Sequence, residues 1–195
     1  MRVRLIAVGS RMPKWVREAY EDYITRLSSG LKVSLVEIEP GPRSGRDAGG
    51  TRPPETGASG LGAKHGGPVG GATKPHRGAA PPDAQRPQSR AMLAEGQKLL
   101  AALRKDEYVV ALDEHGSEMT TRELAAWLKT RMQEGRDVAF LVGGPDGFAR
   151  EVLDRSHFKW SLSRLTFPHA LVRVVLAEQL YRAHGVLSNH PYHRD

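Results

Sequence analysis

Cysteine is absent from the 195-residue chain, which excludes disulfides, cysteine-ligated zinc, iron–sulfur clusters and a cysteine nucleophile within it. Long apolar runs are absent too, and no stretch approaches the roughly 20 apolar residues that a membrane-spanning helix needs. Met1-Arg2-Val3-Arg4-Leu5 leads into a short strand pattern. It lacks the apolar core and small-residue cleavage site of a secretory signal, so the cytoplasm is the expected location. The glycines that follow the most apolar segment fit neither G-x-G-x-x-G nor G-x-x-x-x-G-K-[ST]. A dinucleotide fold or a P-loop loses support accordingly.

What is present suffices for one core. Hydrophobic residues make up 39% of the chain, enough for a single folded domain of this length. The net charge of +7 and isoelectric point near 9.9 point to a polyanionic partner, most simply nucleic acid. That charge is unevenly placed: Gly41 to Gln88 holds seven Lys/Arg against three Asp/Glu and supplies +4, leaving +3 for the rest. The same 48 residues hold 12 of the 21 glycines and 8 of the 13 prolines, with no Phe, Trp or Tyr. Such a segment cannot bury enough apolar surface to offset its ordering entropy, and it reads as a disordered insertion at about 41–88 within a single domain spanning 1–195. Its isolated His65 and His76 suggest no site.

Elsewhere strands and helices alternate. Arg2 to Val8 reads as a strand; after Pro13, the residues Trp15, Ala19, Tyr20, Tyr23, Ile24 and Leu27 mark a helical face directed at the core. Val33 to Ile38 gives a second strand. Met92, Gly96, Leu99, Leu100 and Leu103 form a helical face, and Tyr108 to Leu112 a buried strand that ends at Leu112-Asp113. Thr120 and Glu123 have capping-box spacing ahead of a helix through Leu124, Trp127, Leu128 and Met132 that stops at Gly135. Val138 to Val142 is the most apolar strand. A short helix near Ala149 to Arg155, a strand near Lys159 to Leu162 and a final helix from Pro168 to about His184 complete the chain. The pattern predicts an α/β fold with a mostly parallel sheet flanked by helices.

Two breaks carry the chemistry. Gly143-Gly144-Pro145-Asp146-Gly147 follows a buried strand, at the end where parallel sheets take ligands, and glycines with positive φ there would bare backbone N–H and C=O groups. A tight strand-to-helix turn without a ligand is the competing reading. The second break, Leu162 to His169, precedes the last helix. The tail Ser188 to Asp195 holds His190, Tyr192, His193 and Arg194, residue types suited to stacking, proton transfer and phosphate contact. His190 and His193, separated by proline and off a helix, are a poor metal pair, and no metal is assigned. His169 and His184 read as helix-end residues, with His184 favoured as a cation there. His115 and His157 show no distinguishing partner, and Arg173 and Arg182 could face a second subunit, RNA or Glu178.

Taken in order, Val8-Gly9-Ser10-Arg11-Met12-Pro13, Leu141 to Gly147, Ser161-Leu162-Ser163 through Thr166-Phe167-Pro168-His169, Leu171 to Val174, Glu178 to Ala183 and Asn189-His190-Pro191-Tyr192-His193-Arg194 resemble one family. It is the bacterial large-subunit rRNA pseudouridine N3-methyltransferase H family, of the SPOUT class. The likeness covers about Met1 to Pro40 and Ser89 to Asp195, and the glycine- and proline-rich insertion departs from it. The resemblance implies a C-terminal trefoil knot, a homodimer and S-adenosylmethionine as methyl donor. It implies that Leu112, Gly143, Gly144, Leu162, Ser163, Arg164, Leu165, Thr166 and Phe167 hold that cofactor. The implied substrate is a pseudouridine in a stem-loop of 23S rRNA on assembled ribosomes. In the family the tail closes over the partner subunit's site, which makes His193 the candidate proton acceptor, Tyr192 the residue positioning the base, and Arg194 the contact to phosphate or developing negative charge. The alternatives are a basic ribosome-binding module without catalysis and a SPOUT enzyme acting on another RNA.

Overall fold

The computed structural model describes residues 1–27, 31–43 and 88–188. The chain divides into two units, Met1–Pro42 with Gln88–Asp195, and Arg43–Pro87. Apart from Arg43 the second unit, and with it most of the insertion read from composition, lies outside the described residues.

The first unit runs β1 (Arg2–Val8), α1 (Lys14–Arg26), β2 (Lys32–Ile38), α2 (Arg90–Ala102), β3 (Tyr108–Glu118), α3 (Thr121–Gln133), β4 (Val138–Val142), α4 (Arg150–Arg155), β5 (Phe158–Ser161) and α5 (His169–Leu187). The strands form one sheet in the order β2-β1-β4-β3-β5, and every adjacent pair is parallel. Among the described residues no helix is long and apolar enough to cross a membrane.

Side chains alternate across a strand, and the two faces of this sheet sort accordingly. Val3, Leu5, Ala7, Val110, Val138, Phe140 and Val142 face a core built with α1, α3 and α5. Ile6, Val8, Val109, Ala111, Ala139 and Leu141 face a second core built with α2 and α4. All five residues of β4 are buried. A strand covered on both sides has no solvent face to keep polar, hence its unbroken apolar run.

Local signals account for the helix ends. Thr120 Oγ accepts from Glu123 N while Glu123 reaches back to Thr120 N, closing the expected capping box. Gly135 takes φ +66° just past α3, where an L side chain would be strained. The face of α1 differs from the expectation by one position. Val16 and Tyr20 are buried, whereas Trp15 is 59% exposed. The core stripe therefore begins at Val16, which has the i, i+4, i+8 relation to Tyr20 and Ile24 that Trp15 lacks.

Gly41 is pinned against α2. Its N–H donates to Glu95 Oε1 at 2.9 Å, and a Cβ there would lie 2.5 Å from the Ala91 carbonyl oxygen. Since Ala91 is three residues from Gln88, the chain leaves this unit and re-enters it within about one helical turn, the arrangement in which an inserted segment perturbs its host least.

Candidate active site

The sheet brings the predicted strand ends together. Leu112 sits opposite Val142 of β4 on one side and Trp160 of β5 on the other. At about 4.8 Å per strand, Gly143 and Leu162 leave the sheet within roughly 10 Å of each other, with Leu112 between them. Thr166 closes the ring: its Oγ1 lies 3.4 Å from Glu114 Oε2. Neighbouring strands β1 and β4 send their connections in opposite directions, to β2 and β5. The C-terminal end of β4 therefore lies beside a topological switch point, where open α/β sheets take ligands.

The glycine turn is built differently from the expectation. Positive φ falls on Gly147, at +87°, and not on Gly143 or Gly144. Gly147 N donates to the Gly144 carbonyl at 2.9 Å, closing the turn. What Gly143 supplies is room: a Cβ would meet Gly147 O at 2.9 Å and Gly147 C at 3.1 Å, both backbone atoms. Asp146 is tied to the start of α2 by Ser89 Oγ at 2.9 Å. Folding back of the chain on itself, rather than left-handed backbone at the double glycine, fixes this turn.

The second loop is shaped by its own serines. Ser161 Oγ donates to Ser163 O at 3.0 Å, and Leu165 N donates to Ser163 Oγ at 3.0 Å. This hydroxyl turn projects Leu165 outward, 71% exposed, while Leu162 packs on the core. Arg164 Nε lies 3.3 Å from Glu118 Oε1.

The strand containing Leu112 does not end there. β3 continues to Glu118, and its pairing with β5 is interrupted between Leu112 and Ser117, then resumes as Ser117↔Trp160 and Glu118↔Ser161. Asp113 to Gly116 therefore bulges over the end of β5 and places Glu114 and Glu118 at the rim. Gly116 allows this crossing, because a Cβ would lie 2.6 Å from the Lys159 carbonyl carbon. His115, read as partnerless, has Nδ1 3.3 Å from Asp113 Oδ1.

Arg173 corrects another expectation. It faces neither solvent nor a partner: it is 2% exposed, donating to Val8 O at 3.0 Å, Gly9 O at 2.6 Å and Glu37 Oε1 at 2.8 Å. Burial pushes the nearby Tyr20 hydroxyl up to about 12, with the Arg173 charge pulling the other way. Arg173 thus fixes the turn after β1 beside the end of β4. Arg173→Met should cost about 3 kcal/mol by urea unfolding, since it strands two carbonyls and a carboxylate; a cost under about 1 kcal/mol would contradict this role.

Two histidines and Arg182 also settle. His157 Nδ1 accepts from Val109 N at 2.9 Å, so it has a partner after all. His184 lies in the last turn of α5, as expected, although burial holds its imidazole below the usual range. Arg182 pairs with Glu178. His190, Tyr192, His193 and Arg194 lie outside the described residues.

Comparison with known proteins agrees with this architecture. A family model described as "Predicted SPOUT methyltransferase" matches residues 73–193. The chain belongs to the SPOUT methyltransferases. Proteins named "Ribosomal RNA large subunit methyltransferase H" from Xanthomonas axonopodis pv. citri (strain 306) and Methylococcus capsulatus (strain ATCC 33009 / NCIMB 11132 / Bath) are each 42% identical to it, over 100% of this chain and 99% and 100% of theirs. The protein of that name from Alkalilimnicola ehrlichii (strain ATCC BAA-1101 / DSM 17681 / MLHE-1) is 44% identical over 100% of this chain and 99% of its own. Within the class, the chain is therefore a member of the ribosomal RNA large subunit methyltransferase H family, as its motifs resemble.

Proposed function

We propose that this protein transfers a methyl group from S-adenosylmethionine to N3 of a pseudouridine in a stem-loop of 23S rRNA on assembled ribosomes, in the cytoplasm. The observation that carries the reading is the adjacency of Leu112, Gly143 and Leu162 at one end of the sheet, joined through Thr166 to Glu114. The fold reading extends to a C-terminal trefoil knot, and the domain reading to one SPOUT domain interrupted by the segment at about 41–88. A homodimer is the working assembly, each tail reaching the other subunit's site.

The residues present fit the cofactor. Leu112, Leu162, Leu165 and Phe167 offer apolar surface for a purine face, and the backbone of Gly143, Gly144, Ser163, Arg164 and Thr166 offers polar edges. Glu114 at the rim suits a cationic ligand, while Glu118 is paired with Arg164. S-adenosylmethionine, when bound, supplies a methyl already activated on sulfonium. The protein's part is then to align the base nitrogen with that methyl, exclude water and handle one proton.

Pseudouridine N3 carries an imide hydrogen that must leave as the N–C bond forms. His193 is assigned to accept it, Tyr192 to position the ring, and Arg194 to hold phosphate or the developing anion. No covalent nucleophile is needed, in keeping with a chain without cysteine.

Titration calorimetry tests the reading against its rivals. Micromolar S-adenosylmethionine binding is expected. No binding at millimolar cofactor would leave a basic ribosome-associated RNA-binding module instead.

A further inference from the structure

The opposite end of the sheet has unspent chemistry. Tyr108 and the residues just ahead of β4 and β5, Arg136 and His157, stand at the N-terminal ends of three neighbouring strands. At about 3.3 Å per residue along β4, this edge is on the order of 15 Å from the turn at Gly143.

The ring of His157 is constrained from both sides. Because Nδ1 accepts the Val109 N–H, the neutral imidazole carries its proton on Nε2. Nε2 lies 3.2 Å from Arg136 Nη2, which is also a donor. Two N–H groups therefore converge with no acceptor between them. Charging the ring would not relieve this. Burial, and then the charges of Arg136, Arg155 and Arg131, hold His157 below the usual imidazole range.

Packing keeps these groups in place. His157 stacks on Tyr108 with centroids 4.7 Å apart, and the guanidinium groups of Arg131 and Arg136 lie 4.7 and 5.4 Å from the centre of the same ring. Arg131 is neutralised by Glu134 at 2.8 Å. Among the described residues neither Arg136 nor Arg155 has an ion-pair partner, and Arg136 Nε donates only to the Asp106 carbonyl at 3.1 Å. The contrast with nearby Arg4 is sharp, since its buried guanidinium is matched to Glu107 at 2.9 Å. Positive charge of this kind, rigid and open to solvent, lacks only an anionic oxygen.

We propose that this edge is a second RNA contact, in which a nonbridging phosphodiester oxygen accepts from His157 Nε2 and Arg136 Nη2 together, with Arg155 adding charge. It rests on the rRNA reading above and deepens it. One oxygen shared by two donors turns their opposition into a charge-assisted bond. Contact to phosphate positions the protein without reading sequence, so this edge sets how the particle is held while the other edge reads the base.

The test uses the full chain and purified ribosomes. Binding is measured between about 50 and 200 mM salt for wild type, Arg136→Gln and Arg155→Gln. Arg136→Gln should weaken binding about 10-fold and flatten the log–log salt slope by about one phosphate contact, with Arg155→Gln moving in the same direction. S-adenosylmethionine affinity should stay at the wild-type value in both. Wild-type slope and affinity in both variants would overturn the proposal, and so would an equal loss of cofactor affinity. The slope is read without turnover. Failure of methyl transfer to these ribosomes would therefore sink the catalytic reading and leave a flattened slope standing in support of this contact.

Discussion

Replacing Gly143 with valine should remove measurable S-adenosylmethionine binding, a loss of at least about 100-fold or about 2.8 kcal/mol. The added Cβ would sit 2.9 Å from the Gly147 carbonyl oxygen and 3.1 Å from its carbon. Both are backbone atoms in a turn closed by Gly147 N to Gly144 O, so the turn itself must open. Overpacking of this kind costs about 1–3 kcal/mol in stability, which a folded domain of this size can absorb. Gly135→Ala is the control. It strains a backbone position of its own, at φ +66°, where Gly143 has no positive φ, but nothing lies within 4 Å of its Cβ and it sits at the other end of the sheet. It should lower the unfolding free energy by about 1 kcal/mol and leave cofactor affinity unchanged. Equal cofactor affinity in Gly143→Val and wild type would remove the glycine turn from the site.

Deleting Tyr192 to Asp195 should have the opposite signature. Cofactor affinity is expected to hold within about 2-fold, because Leu112, the glycine turn and the Leu162 loop remain, while turnover falls by about 100-fold or more as proton transfer and base positioning are lost. His193→Gln alone separates the two contributions. Loss of an acidic limb from the pH–rate profile marks His193 as the proton acceptor. A merely RNA-binding tail would raise KM and leave that limb in place. Unchanged turnover in the truncated chain would discard the tail's catalytic role.

Much of this was legible in the residues, and what was not has a common cause. Val138 to Val142 announced itself because a strand buried on both faces needs five apolar residues in a row and glycines to leave the sheet. The Thr120–Glu123 box was legible because both partners lie within one helical turn. Trp15 misled because an aromatic residue one position off a stripe looks like part of it, although helix geometry turns it by about 100°. The continuation of β3 beyond Leu112 was invisible, since Asp113 to Glu118 is polar and glycine-bearing and its pairing is imposed by β5, more than 40 residues later. The same holds for Arg173, whose carbonyl and carboxylate partners are 165, 164 and 136 residues away. His157 looked idle because its partners, Val109 and Arg136, come together only when three parallel strands align. Local chemistry can be read from spacing. Chemistry assembled by sheet register cannot.

The central claim is methyl transfer to one RNA position, and the most direct measurement is transfer of labelled methyl from S-adenosylmethionine to purified ribosomes, followed by mass mapping of the RNA. Incorporation of one methyl at N3 of a 23S pseudouridine, greater on ribosomes than on free rRNA, is the predicted result. A methyl placed on a ribose or on transfer RNA, or none at all with cofactor bound, would contradict it.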